Sequence, residues 1–231
     1  MSDSPRAAEA TTASEHAPRW LPIRALAPQH RPRIRAHLLA LDEADRLLRF
    51  GFAAADPHIE HYVEGLDFER DLLFGVFSRR LVLVAFAHLA FEEPDPESPC
   101  PSTSDAANMA AAEFGVSVSR RHRGRGFGTQ LFAYAALHAR NRGVDRLLVH
   151  ASRENTAMLA LARSAGAQVT FEGAESTAVL HLPPQDLLSH LNQRLAERAA
   201  EIDYDVKRQA RLLARVARAA SSASRRARSP R

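Results

Sequence analysis

The chain has 231 residues, 45% apolar and 25% charged, which fits one soluble globular domain with extensions and enough length for a real core. The lone cysteine, Cys100, excludes an internal disulfide, no apolar run reaches transmembrane length, and the N-terminus lacks the apolar core of a signal peptide, so a cytoplasmic protein is expected. The net charge of +4 conceals an asymmetry: nine Lys/Arg and no acid lie between Val206 and Arg231, which leaves residues 1–205 at −5.

Residues 1–18 are rich in Ala, Ser, Thr and Glu and are expected to be disordered. "WLPIRAL" reads as a short first strand. "APQHRPRIRAHLLALDEADRLLRFGFAA" reads as two consecutive helices whose apolar faces come from Leu38, Leu39, Leu41, Leu47 and Leu48. "DLLFGVFSRRLVLVAFAHLAFE" reads as a hairpin with a polar turn at residues 78–80. A Pro/Ser/Asp loop follows, then the strand "AAEFGVSVS". After a glycine loop, a helix is expected from Phe127 to Asn141, stopped by Gly143. "DRLLVHAS" reads as a strand, "NTAMLALARSAGA" as a helix, and "QVTFEG" with "TAVLHLPP" as a closing hairpin. His88 and His181 fall in strands and read as core or surface residues. Beyond Pro184, Leu188, Leu191, Leu195, Ala199, Ile202, Val206, Ala210 and Leu213 recur every three or four residues, so residues 184–220 read as one amphipathic helix. Residues 221–231 read as a basic disordered tail.

The chemistry concentrates in "RGRGFGTQL", residues 123–131. A strand ends there, the backbone turns, and a helix begins. Free amides at a helix N-terminus converge on one point, and the helix dipole favours an anion there. Glycines remove the Cβ atoms that would keep an anion away. Arg123 and Arg125 add positive charge. A Walker A loop needs Lys-Ser/Thr after its last glycine, but Gly128 is followed by Thr129 and Gln130. A dinucleotide fingerprint needs glycine at 129, and its ribose-binding acid would end the next strand, which Asp145 instead begins. A plain glycine turn with solvated arginines is the bland reading.

Arg123-x-x-Gly126-x-Gly128 matches the coenzyme A loop of the GNAT superfamily of acyl-CoA-dependent N-acetyltransferases, and the chain resembles that family over residues 20–182. The strand "AEFGVSV" before the loop and "NTAMLALARSAGA" after the next strand resemble its other signatures. The spelling "ML-LAR--G" looks most like the acetyltransferase domain of bacterial protein-lysine acetyltransferases. The resemblance implies a GNAT domain over residues 19–183: an α/β fold with a mixed, mostly antiparallel sheet whose central strands splay, flanked by helices and followed by the C-terminal helical extension. It implies acetyl-CoA as cosubstrate and no metal. Backbone groups of Val116 and Val118 would pair with the pantetheine arm. The loop from Arg123 through Gly124, Arg125, Gly126, Phe127, Gly128 and Thr129 would hold the pyrophosphate. Asn155 would bond the cofactor where the strands splay, although an asparagine there also caps a helix well. Many relatives carry a tyrosine seven residues after this asparagine, to protonate the leaving thiolate; this chain has Ala162.

The implied reaction transfers an acetyl group to a primary amine, in a protein or a small molecule, by direct attack in a ternary complex. The attacking amine must first lose a proton. Glu113 is the first candidate base, ten residues before Arg123, where the similar lysine acetyltransferases keep a glutamate. His150 is second, at the end of the following strand, with an imidazole suited to neutral pH. A solvated strand-edge glutamate and a structural histidine are the competing readings. The alternative function is a non-catalytic acyl-CoA-binding regulatory module. No aromatic residue is interleaved after Tyr204, so the basic tail does not suggest nucleic acid, and nothing suggests a membrane partner. The C-terminal helix could pack on the domain, on a second copy in a homodimer, or against a partner.

Overall fold

The computed structural model describes residues 22–91 and 111–184, together with Tyr204 and Lys207. The elements in chain order are β1 (Ile23–Ala25), α1 (Arg31–Leu39), α2 (Glu43–Phe50), α3 (Asp56–Glu64), β2 (Leu72–Phe77), β3 (Leu83–Phe91), β4 (Ala111–Val118), α4 (Phe127–Asn141), β5 (Arg146–Ser152), α5 (Thr156–Ser164), β6 (Gln168–Glu172) and β7 (Glu175–His181). The strands form one sheet in the order β1-β2-β3-β4-β5-β7-β6. Every neighbouring pair is antiparallel except β4–β5. The expected α/β architecture, a mostly antiparallel mixed sheet between helical layers, is what the chain adopts.

Two cores lie on opposite faces of this sheet. One joins Phe74, Phe114, Leu147 and Val149 to Leu131 and Phe132 of α4 and Leu159 of α5. The other joins Leu73, Phe77 and Phe86 to Ile34 and Leu38 of α1 and Ile59 and Val63 of α3. Cover on both faces explains why Leu83–Leu89 of β3 is nearly all apolar rather than alternating.

Helix α3 is absent from the sequence reading. Its pattern is present in retrospect: Pro57 in the first turn, then Ile59, Tyr62 and Val63 on one face. Its last turn is held by Arg31 of α1, which donates to the carbonyls of Val63, Glu64 (2.8 Å) and Leu66 (3.1 Å). Helix α2 starts at Asp42, whose side chain accepts from the Asp45 amide at 2.9 Å. Arg46 ties the helix to its surroundings through the carbonyls of Leu39, Leu41 and Ala54 and the carboxylate of Asp56. Of the leucines assigned to apolar faces, Leu38 and Leu41 are buried, Leu39 and Leu48 are partly covered, and Leu47 is exposed.

The described C-terminal residues touch the second core. The Tyr204 ring lies 5.2 Å from Phe77, the Arg24 guanidinium stacks 3.9 Å above it, and Arg33 donates to its hydroxyl. Lys207 donates to the Phe77 carbonyl at 3.3 Å. The apolar stripe, the basic tail and the expected disordered N-terminus lie outside the described residues. Tyr204 fills a site walled by aromatic and cationic groups, so Tyr204→Ala should cost about 3 kcal/mol of stability, read by chemical denaturation.

Buried His37 joins α1 to the sheet: one ring nitrogen lies 3.1 Å from the Leu83 carbonyl and the other 2.9 Å from Ser117 Oγ. Burial lowers its pKa from 6.5 to about 4, and burial also lowers His138 to about 4. Between pH 6.5 and 4 the unfolded chain therefore binds more protons than the folded one. The stabilisation is complete above pH 6.5 and is lost as pH falls through 4, at up to about 1.4 kcal/mol per pH unit for each histidine. Melting should occur at lower temperature at pH 5 than at pH 7.5, and His37→Asn should make that difference smaller.

Candidate active site

Strands β4 and β5 stay together for three rungs only: Ala111–Arg146, Ala112–Leu147 and Glu113–Leu148. Beyond Glu113, β4 keeps β3 as its partner, while β5 keeps β7. The Ser119 amide bonds the Val84 carbonyl at 2.9 Å. Alternation along this antiparallel pair directs the main-chain groups of Ser117 and Gly115 towards β3. Those of Val118 and Val116 then point to the parted side. Apart from the Val118 carbonyl, which accepts from Arg123, this leaves main-chain groups of β4 facing a cleft of about 520 Å³ rather than a strand.

The glycine loop closes one end of the cleft. Gly124 and Gly126 have φ of +70° and +76°, where a residue with a Cβ is strained. Gly126 caps α4, and the amides of Phe127, Gly128 and Thr129 occupy the first turn, with no acidic side chain in it. Gly128 lies close under α5; a Cβ there would meet Leu161 Cδ1 at 3.4 Å. A helix N-terminus of this kind suits a phosphate group. Arg125 is exposed beside it. Arg123 is already engaged: its guanidinium sits 2.5 Å from the buried Asp45 carboxylate and its Nε donates to the Val118 carbonyl at 3.2 Å.

Helix α2 forms the opposite wall through Asp45, Leu48 and Arg49. Asn155 holds it there. The Asn155 side chain accepts from the Met158 amide at 3.1 Å, capping α5, and donates to the Leu48 carbonyl at 3.2 Å. Asn155 thus caps its helix and also lines the cleft. Arg49 lies over Gly115 and donates to the Tyr62 hydroxyl at 2.9 Å. Tyr62 and His88 Nδ1 are 2.8 Å apart, and His88 Nε2 is 2.9 Å from Asp71. With Arg49 donating, Tyr62 O–H donates onward to Nδ1, and Nε2–H donates to Asp71. Burial raises the Tyr62 pKa and lowers that of His88, so both are neutral at pH 7. Burial alone would raise Asp71, but hydrogen bonds from Arg70 and His88 outweigh it and hold Asp71 below the usual carboxylate value.

Of the two candidate bases, Glu113 sits on the last rung before the strands part, exposed, on the sheet face that carries Gly115 and Ser117. His150 is exposed on β5, 3.3 Å from Thr177 Oγ1, and is not part of the cleft wall. Ala162 is fully buried in the first core and is also absent from that wall. Of the other expected residues, Val116, Val118, Arg123, Gly124, Gly126, Phe127, Gly128, Thr129 and Asn155 line the cleft, whereas Arg125, like Glu113, lies outside its lining. The sequence reading missed Asp45, Arg49 and Tyr62. Asp45 and Arg49 are four apart on one helix, the spacing of a solvated surface pair. They instead reach different partners.

Among the described residues, no cluster of His, Cys, Asp and Glu could hold a metal ion, and no helix is long and apolar enough to cross a membrane.

The fold is shared with solved structures. The GNAT domain of S. lividans PAT superposes with a TM-score of 0.54 at 19% identity, covering 69% of this chain and 89% of that one. An N-acetyltransferase from Staphylococcus aureus Mu50 gives 0.52 at 16% identity, covering 70% and 98%. Ribosomal-protein-alanine N-acetyltransferase from Brucella melitensis gives 0.51 at 18% identity, covering 69% and 99%. No curated protein matches the chain. The family model described as Acetyltransferase (GNAT) family matches residues 38–167, a span that holds the parted strands, the glycine loop and the Asn155 helix. The chain belongs to the GNAT family of acetyltransferases.

Proposed function

We propose that the protein transfers an acetyl group from acetyl-CoA to a primary amine, by direct attack within a ternary complex. The observation that carries this reading is a single continuous cleft. It runs from the free amides of α4 past the outward-facing main chain of Val118 and Val116; Glu113, outside its lining, lies three residues before Val116 on the rung where the strands meet. Such a cleft offers amides to a pyrophosphate at one end and open main chain to an extended amide-bearing arm beyond it.

In this reading the loop amides hold the pyrophosphate and Arg125 supplies charge beside them. Val116 and Val118 complete an unfinished β ladder with the pantetheine amides. Glu113 takes the proton from the acceptor ammonium. The free amine attacks the thioester carbonyl, a C–N bond forms, the C–S bond breaks, and the nitrogen releases its second proton to water. The thiolate leaves as such or takes a proton from water. Because Ala162 supplies no acid, that step relies on the good leaving ability of a thiolate at neutral pH. The similarity in motif spelling to protein-lysine acetyltransferases makes a protein lysine one candidate acceptor and a small amine the other.

Two variants test the two ends of the cleft. Gly126→Val places a β-branched residue at a φ of +76° and a side chain at the mouth of the amide cradle. It should weaken acetyl-CoA binding at least about tenfold by calorimetry, about 1.4 kcal/mol, with an unchanged circular dichroism spectrum. Unchanged affinity would remove the cofactor assignment.

Glu113→Gln should retain acetyl-CoA affinity, lower turnover about a hundredfold or more, and lose the acidic limb of the pH–rate profile. Should His150→Ala behave this way and Glu113→Gln not, His150 is the base. Binding of acetyl-CoA with no thiol release across a panel of amines would favour a non-catalytic acyl-CoA-binding module.

A further inference from the structure

The head of the cleft contains a cation with no anion. Arg49 makes no ion pair among the described residues; its Nη2 donates to Tyr62, and its Nε is buried without a hydrogen-bond partner. Its position is built rather than incidental. Gly115 leaves the space it fills: a Cβ there would lie 2.7 Å from Cζ and both terminal nitrogens. The guanidinium packs near the rings of Phe50 and Tyr62, with centroids at 5.3 and 5.5 Å. The relay from Tyr62 through His88 to Asp71 fixes its hydrogen-bonded edge. Asp45, one turn earlier on α2, is committed to Arg123. Glu113, on the same sheet face two residues from Gly115, is not within ion-pair distance of Arg49. A partly buried charge without a counter-ion is costly, and an arriving anion would relieve that cost.

The location along the strand indicates which anion. Three residues of strand separate Gly115 from Val118, roughly 10 Å, so Arg49 lies well away from the amide cradle. It is therefore not placed for the pyrophosphate. Glu113 and Arg49, which lies over Gly115 two residues further along β4, present a negative and a positive group above one sheet face beyond ion-pair distance, the complement of an ammonium and a carboxylate. A planar guanidinium is suited to a carboxylate.

We propose that Arg49 anchors a carboxylate of the reacting substrates at the head of the cleft, so that the protein selects an acidic co-substrate. This rests on the acyl-transfer reading. The carboxylate has two possible carriers: an acceptor amine with its own carboxylate, such as an amino acid, or a dicarboxylic acyl thioester.

The test compares wild type with Arg49→Met and Arg49→Lys. One arm measures kcat/KM for free amino acids against their carboxamides with acetyl-CoA as donor. The other measures succinyl-CoA against acetyl-CoA with one neutral amine. Wild type should prefer the carboxylate in at least one arm by about tenfold or more, and the arm identifies the carrier. Arg49→Met should bring that ratio close to one, while Arg49→Lys keeps part of it. Equal use of both members of each pair by wild type overturns the proposal and needs no variant. So does an Arg49→Met enzyme that slows every reaction alike with the ratio intact, as loss of an oxyanion contact would. Calorimetry separates failure of the transfer reading. If neither thioester binds, that reading falls, and titration with succinate then decides the anchor directly. Binding that Arg49→Met weakens about tenfold supports the anchor, and absence of binding to wild type refutes it.

Discussion

The structure depends on a β ladder that stops after three rungs. A parallel pair ordinarily satisfies the main chain of both strands along their length. Here β4 turns its inner groups to β3 and β5 turns its own to β7, and the gap between them has no strand to fill it. Unsatisfied backbone groups are tolerated where water or a ligand can reach them. The two faces of the sheet supply the rest. One packs on α4 and α5, which brings a helix N-terminus to the end of β4. The other packs on α1 and α3, which leaves α2 to cross the gap. A cleft with a polar floor, an amide-rich end and a helical wall follows from that arrangement.

Arg46 holds this wall from behind, and a few bonds tie its cleft side. Asp45 reaches Arg123, Asn155 reaches the Leu48 carbonyl, and Arg49 reaches over Gly115 to Tyr62. The helix has little apolar anchorage: within it only Asp45 is buried. Its cleft side is set by polar contacts to residues that would meet a ligand. This makes α2 the element whose placement is most directly coupled to what fills the cleft.

How much of this could be read from the chain varies with how local the cause is. The loop and α4 were legible because glycines at 124, 126 and 128, followed by an apolar repeat, fix a turn and a helix within fifteen or so residues. The hairpins were legible from apolar runs around short polar turns. Helix α3 was not, because a nine-residue segment with two histidines and few apolar residues gives a weak periodic signal. The roles of Asp45, Arg49 and Tyr62 were not legible either. Each depends on a partner 13 to 78 positions away, brought near by the sheet. Asn155 could be read as a cap or as a ligand; its capping bond is local, and its second bond, to Leu48, spans 107 positions. No local rule anticipates that second bond.

The Asp45–Arg123 pair alters the electrostatic character of the glycine loop. An arginine in such a loop would ordinarily be counted as a full positive charge facing a phosphate. Here a carboxylate that is 8% exposed lies against it, so the two largely cancel at any distance beyond the pair. What remains for an anion is the short-range pull of oriented amides, which lose effect within a turn of helix, and the exposed charge of Arg125 beside them. Ionic strength screens long-range fields far more than contacts shorter than a Debye length. The salt dependence of binding at this loop should therefore come from Arg125 and not from Arg123, so it should be weaker than a count of the loop's arginines suggests.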